Sequence, residues 1–386
     1  MALSWLAPNP RARHDEPYGD AQRSVITAAG VPDLAQMLEQ CPAHRVTPLY
    51  RLPGLAQRLS LADILVKDEA QRFGFGAFKA LGGVLAVYVR LTGVVGAADR
   101  IAPSFAELMA GAHKDLTADL VFTTASSGNH GRSVAAGAKL FGNRCVVFLP
   151  FFTSIDKEAA IRARGAEIVR VDGDYDAAVA ECRRVAAEKK WAIISDTSWD
   201  DYEYIPKTVM RGYTVLAHEA MTQWQAPPTH VFVQAGVGGL AAAVIGYLWE
   251  MMEAARPVFI VVEPASADCW FQSNRAGKIT PASGDADTIM GGLACREISP
   301  ITWPVIGLGT DWFMTIGDDS VPAARQTLGG PGDGDPAITS GPSGCAGMAG
   351  LLRVLSDDEA RAALRLNERS RVLLINSEGN LGEASA

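Results

Sequence analysis

Arg72-Phe73-Gly74-Phe75-Gly76-Ala77-Phe78-Lys79-Ala80-Leu81-Gly82-Gly83 leads two glycines and three aromatics into a lysine. An apolar run with helical spacing follows (Ala80, Leu81, Val84, Leu85, Val87, Tyr88). A lysine at a helix start and among aromatics is badly placed for a solvated charge. Burial and the positive end of the helix dipole both lower such an amine's pKa, as imine formation requires. By itself the segment reads as a surface lysine at a helix start. The rest of the chain changes that reading.

Upstream, Thr47–Leu52 and Ile64–Glu69 read as two short strands. Downstream, strands are expected at Leu120–Thr124, Arg144–Leu149, Glu167–Val171 and Ala192–Ser195, with helices over 133–141, 155–164 and 175–189 between them. The alternation resumes at Thr229–Gln234, a helix over 240–255, Val258–Glu263 and a last strand at Arg371–Ile375. Repeated βαβ units mean a mainly parallel twisted sheet flanked by helices. The layout predicts an α/β protein of two lobes. A large one is made of 1–85 plus 206–386, and a small one of 86–205 is inserted in it.

The 386 residues are 48% hydrophobic and 20% charged, as in ordinary globular proteins. A net charge of -8 argues against nucleic acid as the main partner. The first residues lack a basic, then apolar, leader pattern, and no apolar run is expected to reach the roughly 18 residues of a membrane span. The expectation is a cytoplasmic protein with no membrane partner. Six dispersed cysteines without a CxxC pair speak against a zinc site or a disulfide framework, so no metal is expected. Cys269 and Cys295 flank one glycine-rich segment, where a bridge or free thiols are both open.

Five further segments carry chemistry. Ser126-Ser127-Gly128-Asn129-His130-Gly131, between strand and helix, reads equally as a carboxylate site on backbone N–H groups or as a serine-capped turn. Gly236-Val237-Gly238-Gly239 suits a phosphate cradled by amides, or only close strand–helix packing. With Glu263 at the end of the next strand it also approaches a dinucleotide fingerprint. Ser377 directly follows the last strand, where a hydroxyl suits a cofactor's ring nitrogen, and Ser340-Gly341-Pro342-Ser343-Gly344 is a small-residue loop. Asp196 ends a strand at the edge where parallel sheets bind ligands, though an Asp before Thr-Ser also caps helices.

In this order the segments resemble the fold type II pyridoxal phosphate enzymes, and among them the diaminopropionate ammonia-lyases. The likeness rests on Val66-Lys67-Asp68-Glu69-Ala70-Gln71-Arg72-Phe73-Gly74, Ala77-Phe78-Lys79, Gly128-Asn129-His130-Gly131-Arg132 and Asp196-Thr197-Ser198-Trp199. It continues through Gln234-Ala235-Gly236-Val237-Gly238, Glu263-Pro264, Ala267-Asp268-Cys269, Gly292-Leu293-Ala294-Cys295 and Ser340-Gly341. The resemblance implies that Lys79 holds the cofactor through an imine and shuttles protons, with Phe78 against the ring. Asn129 would meet the phenolic oxygen, Gly236, Val237, Gly238 and Gly239 the phosphate, and Ser377 the pyridine nitrogen. Ser126, Ser127 and Gly128, with Asn129 and His130 beside them, would receive the substrate carboxylate. Asp196 would read the distal amino group and take part in proton removal.

One position departs. The diaminopropionate lyases carry an aspartate directly before Gly-Asn-His-Gly, and Ser127 stands there. That counts against use of D-diaminopropionate and resembles the serine-bearing turn of serine racemases and threonine dehydratases. The expected function is α,β-elimination from a small amino acid, first 2,3-diaminopropionate to pyruvate and ammonia. The alternative is a β-hydroxy amino acid (serine, threonine or 3-hydroxyaspartate). Two remoter readings are an NAD-dependent dehydrogenase on Gly236 and Glu263, and a catalytically silent relative. The family resembled implies a homodimer.

Overall fold

The computed structural model describes residues 3–99 and 101–380. In chain order the first six strands are β1 Leu6–Pro8, β2 Leu49–Arg51, β3 Asp63–Asp68, β4 Val121–Ala125, β5 Arg144–Pro150 and β6 Glu167–Val171. The others are β7 Ala192–Ile193, β8 His230–Gln234, β9 Val258–Pro264, β10 Trp312–Ile316 and β11 Arg371–Asn376. Five helices matter below: α1 Lys79–Asp99, α2 Asn129–Leu140, α3 Tyr204–Gln223, α4 Gly239–Met252 and α5 Cys269–Ala276.

Two compact units form, one from 3–31, 46–71 and 213–380, the other from 32–45, 72–99 and 101–212. The first holds a seven-stranded sheet in the order β1-β10-β9-β8-β11-β3-β2. Its middle strands run parallel, and the short β1 and β2 close the edges antiparallel. Every residue of β3 and β8 is buried, which fits strands covered on both faces. Phe232, Ile260, Val262, Met314, Val372 and Leu374 carry one of its core layers. Neither β1 nor β10 was expected from sequence. A three-residue edge strand has no periodicity of its own, and its pairing to Trp312–Met314 joins segments some 300 residues apart.

The second unit holds the parallel sheet β6-β5-β4-β7. Glycines seat α1 in this unit. A Cβ on Gly83 would stand 2.3 Å from Ser133 Oγ, one on Gly137 would stand 3.1 Å from Val84 Cα, and one on Gly212 would stand 2.6 Å from Leu81 O. Residues 32–45, 72–85 and 206–212, assigned from sequence to the larger lobe, cluster with the smaller unit. By length and composition Lys79–Ala98 would pass for a membrane span, but 56% of its apolar window is buried, as in a core helix.

The loops that follow β4, β7, β8 and β11 carry the candidate residues 126–129, 196, 236–239 and 377. All lie at carboxyl ends of strands, where parallel sheets present ligand sites.

Candidate active site

In the smaller unit the approach to Lys79 is a forced turn. Phe73 (φ 52°), Gly74 (φ 65°) and Gly76 (φ 88°) all take left-handed backbone, which glycine adopts freely and Phe73 adopts at a cost. Phe73 is held by stacking on Phe75 at 5.9 Å and by the edge of His44 at 5.1 Å. The turn delivers Phe78, buried, and Lys79 as the first residue of α1. Lys79 Nζ lies 5.5 Å from the Phe78 ring centroid and donates to Asp196 Oδ2. The alternative that Asp196 only caps a helix fails, since its carboxylate serves the lysine.

Asp196 sits three residues beyond the end of β7, on a bend braced by Tyr202. The Tyr202 hydroxyl donates to Ile193 O at 2.8 Å and accepts from Ser195 N at 3.1 Å. Trp199 stacks on Tyr202 with centroids 4.0 Å apart, and Arg183 lies 4.7 Å over Trp199. His130 Nδ1 stands 3.8 Å from Asp196 Oδ2, while its Nε2 meets Ile194 O at 2.9 Å. A neutral imidazole must be the donor at Nε2 to satisfy that carbonyl, which leaves Nδ1 unprotonated toward Asp196.

Burial opposes ionisation of Asp196, but His130 and the Lys79 ammonium outweigh it and hold the carboxyl below the usual carboxylate range. Burial pushes the His130 imidazole down, against the raising pull of Asp196. The lysine is therefore the cation that carries the effect at neutral pH.

Helix α2 begins at Asn129, four residues earlier than the sequence suggested. Its N-cap is Gly128 and no side chain caps it, so the serine-cap reading fails and first-turn N–H groups stay available. Ser126 Oγ instead accepts from Gly128 N at 3.3 Å. Gly131 is required because a Cβ there would stand 2.4 Å from Ser126 O. Asn129 Oδ1 accepts from Arg132 Nη2, one turn on. Ser127 is half-buried, and its hydroxyl has no hydrogen-bond partner among the described residues.

In the larger unit the loop 236–239 is held by its carbonyls. Trp270 Nε1 donates to Gly236 O at 2.9 Å; Ser299 N, at 2.9 Å, and Thr302 Oγ1, at 3.3 Å, donate to Val237 O. Among the described residues none of the N–H groups of Gly236, Val237, Gly238 and Gly239 donates to a backbone carbonyl. They open the 14-residue helix α4, whose dipole favours an anion there. Gly238 (φ 107°) admits no side chain, since a Cβ would stand 2.5 Å from Trp270 Cζ2 and 2.8 Å from Thr302 Oγ1.

Ser377 is buried beside this loop's strand, and its Oγ accepts from Gln234 Nε2 at 2.9 Å. Gly344 lets the small-residue loop close on β11, because a Cβ there would stand 2.4 Å from Glu378 O. Glu263 is spent elsewhere. Its two oxygens accept from Trp270 N at 2.8 Å and Phe271 N at 2.7 Å, capping α5, and burial pushes its carboxyl up to about 8 against those donors. It offers no carboxylate to a ribose, so the dinucleotide reading loses its acidic partner. No disulfide joins Cys269 and Cys295.

The smaller unit thus brings Lys79, Asp196 and His130 together, and the larger one sets the glycine amides and Ser377 at the ends of neighbouring strands. The supporting residues Tyr202, Arg132, Trp270, Thr302 and Gln234 were not singled out from sequence. Arg132 had a signal, its i,i+3 spacing from Asn129 on a helix start. So had Gln234, a polar residue ending the apolar strand His230-Val231-Phe232-Val233.

Comparison with known proteins agrees with the resemblance. The family model described as "Pyridoxal-phosphate dependent enzyme" matches residues 41–378. A diaminopropionate ammonia-lyase of Salmonella typhimurium is 40% identical over 352 residues, covering 89% of this chain and 87% of that one. The crystal structure of the Escherichia coli diaminopropionate ammonia-lyase with D-serine superposes with a TM-score of 0.87 at 32% identity, over 98% of this chain and 94% of that one. The same enzyme with an aminoacrylate-PLP azomethine reaction intermediate gives 0.86 at 33% identity, over 98% and 94%. The chain belongs to the pyridoxal-phosphate dependent enzymes of fold type II, in the family of the diaminopropionate ammonia-lyases.

Proposed function

We propose that this protein is an ammonia-lyase that eliminates the α-proton and the β-amino group of 2,3-diaminopropionate. The 2-aminoacrylate so formed takes up water to give pyruvate and a second ammonia. The observation that carries the reading is the pairing of Lys79 with Asp196 at a strand end, in a chain 40% identical to a diaminopropionate ammonia-lyase.

The residues fit pyridoxal phosphate. Four unspent amides at a helix start suit a phosphate, and a buried serine hydroxyl that only accepts in the structure keeps its proton for a ring nitrogen. Lys79, Asn129, Gly236, Val237, Gly238, Gly239 and Ser377 would hold the group, with Phe78 beside it. The chemistry it supplies when bound is an electron sink for the pair left when the Cα–H bond breaks.

The chain's own residues do the rest. Lys79 Nζ, next to Asp196 Oδ2, can take a proton from Cα and return one to the departing nitrogen. Asp196 stays ionised at neutral pH and offers its charge to the distal ammonium of the substrate, which a β-hydroxyl would not use. Ser126, Ser127 and Gly128, at the uncapped start of α2, receive the substrate carboxylate. His130 stands 3.8 Å from Asp196, its ring oriented by the hydrogen bond from Nε2 to Ile194 O.

A second reading is favoured by Ser127, whose unpartnered hydroxyl stands where the relatives' aspartate is expected: loss of water from serine, threonine or 3-hydroxyaspartate. Parallel assays of L-2,3-diaminopropionate, its D-isomer and these amino acids separate the two. Release of 2-oxo acid from the L-diamine well above the hydroxy acids supports the first, and the reverse order supports the second. A homodimer is proposed on the resemblance alone, and light scattering tests it. A cytoplasmic location without membrane attachment is proposed with it, and cell fractionation tests that.

A further inference from the structure

We infer that Gln234 is a positioning residue that forces Ser377 to act as a hydrogen-bond donor toward the cofactor. Gln234 is the last residue of β8 and is 1% exposed. Its Nε2 lies 3.1 Å from Ser343 O, 3.2 Å from Gly344 O and 3.0 Å from Ile375 O, and 2.9 Å from Ser377 Oγ. The amide can sit only one way round. Turned over, its oxygen would face three main-chain carbonyl oxygens in a buried site, a repulsion that one hydrogen bond from the Ser377 hydroxyl does not offset. Its own Oε1 has no hydrogen-bond partner, which is the cost the site accepts for that orientation.

The consequence falls on Ser377. A serine hydroxyl has one proton and two lone pairs. With an N–H aimed at Oγ, the Ser377 proton cannot point back at Gln234, and among the described residues Oγ has no other partner. The proton is kept for whatever lies on the open side of Ser377. Without Gln234 nothing occupies that lone pair of Oγ, the hydroxyl is free to rotate its proton away from the open side, and the donor is weakened. Gln234 touches neither cofactor nor substrate in this account; it acts through Ser377. The inference rests on the assignment of Ser377 to the pyridine nitrogen.

The test is a double-mutant cycle on cofactor binding. Dissociation constants are measured by fluorescence titration of cofactor-free protein, together with the absorption maximum of the bound cofactor. The set is wild type, Gln234→Leu, Gln234→Glu, Ser377→Ala and Gln234→Leu/Ser377→Ala. Gln234→Glu keeps the shape and has at most one proton, which the carbonyls take, so it replaces the leucine variant if that one does not fold. Each Gln234 variant is expected to weaken binding about as much as Ser377→Ala does, roughly fivefold for one hydrogen bond, and to shift the band in the same direction. The double variant should bind no more weakly than Ser377→Ala alone. Wild-type binding by the Gln234 variants, or losses that multiply in the double variant, would overturn the inference. Wild-type binding and spectrum in Ser377→Ala would overturn the assignment of Ser377 itself, and the inference with it.

Discussion

The two units present their candidate residues in opposite ways. The smaller one builds with side chains: Lys79 and Asp196 form an ion pair, with the neutral His130 imidazole 3.8 Å from the carboxylate. The larger one builds with main chain: the amides of 236–239 are left unspent because their carbonyls are tied back by Trp270, Ser299 and Thr302. The first kind of site fails when a functional group is removed. The second has no functional side chain to remove and fails when one is added.

The largest effect should come from removing the amine. Lys79→Ala is expected to lower turnover of diaminopropionate by about 10³-fold or more while the fold survives, which steady-state assay and circular dichroism check together. Asp196→Asn comes next. Loss of about 10²-fold in kcat/KM is expected for diaminopropionate and much less for serine, because only the diamine has a distal ammonium to read. Equal losses on both substrates would confine Asp196 to the proton step.

Adding atoms tests the other unit. Gly238→Ala places a Cβ against Trp270 and Thr302 on left-handed backbone. Cofactor affinity should fall about tenfold, at a cost of roughly 1–2 kcal/mol in folding stability. The same substitution at Gly291, where a Cβ would meet nothing within 4 Å, should leave binding near wild type.

The smallest effect is a pH dependence. Asp196 is held below its ordinary pKa in the folded chain, so its pairing stabilises above the unfolded carboxyl's value near 4 and fades as pH falls through the lower folded value. Denaturant unfolding of cofactor-free wild type and Asp196→Asn should differ by about 1–3 kcal/mol at pH 7, and the difference should begin to shrink only below about pH 4. A difference that grows on acidification would contradict the cluster as described.

The same contrast governs what could be read from sequence. Lys79 and Asp196 were legible because an unusual side chain in a patterned setting is itself a signal. The glycine loop was visible but ambiguous, since glycine marks a phosphate cradle, a tight helix packing and a dinucleotide turn alike. What decided it lay far off in the chain: Trp270 and Thr302 holding the carbonyls, and Glu263 capping α5 instead of facing a ligand. The start of α2 was set too late because Gly128 to Gly131 looked like a turn, whereas small residues there let the helix pass Ser126. Strand β10 was hidden in a Gly- and Asp-rich stretch and gains its place only by pairing with β9.

The most direct test of the account is absorbance of the purified protein reconstituted with pyridoxal phosphate, followed by addition of L-2,3-diaminopropionate with pyruvate and ammonia measured together. The account predicts a visible band that borohydride reduction fixes covalently to Lys79, and two molecules of ammonia released for each pyruvate. A protein that takes up the cofactor at no lysine, or that leaves the diamine untouched while carrying the band, would contradict it.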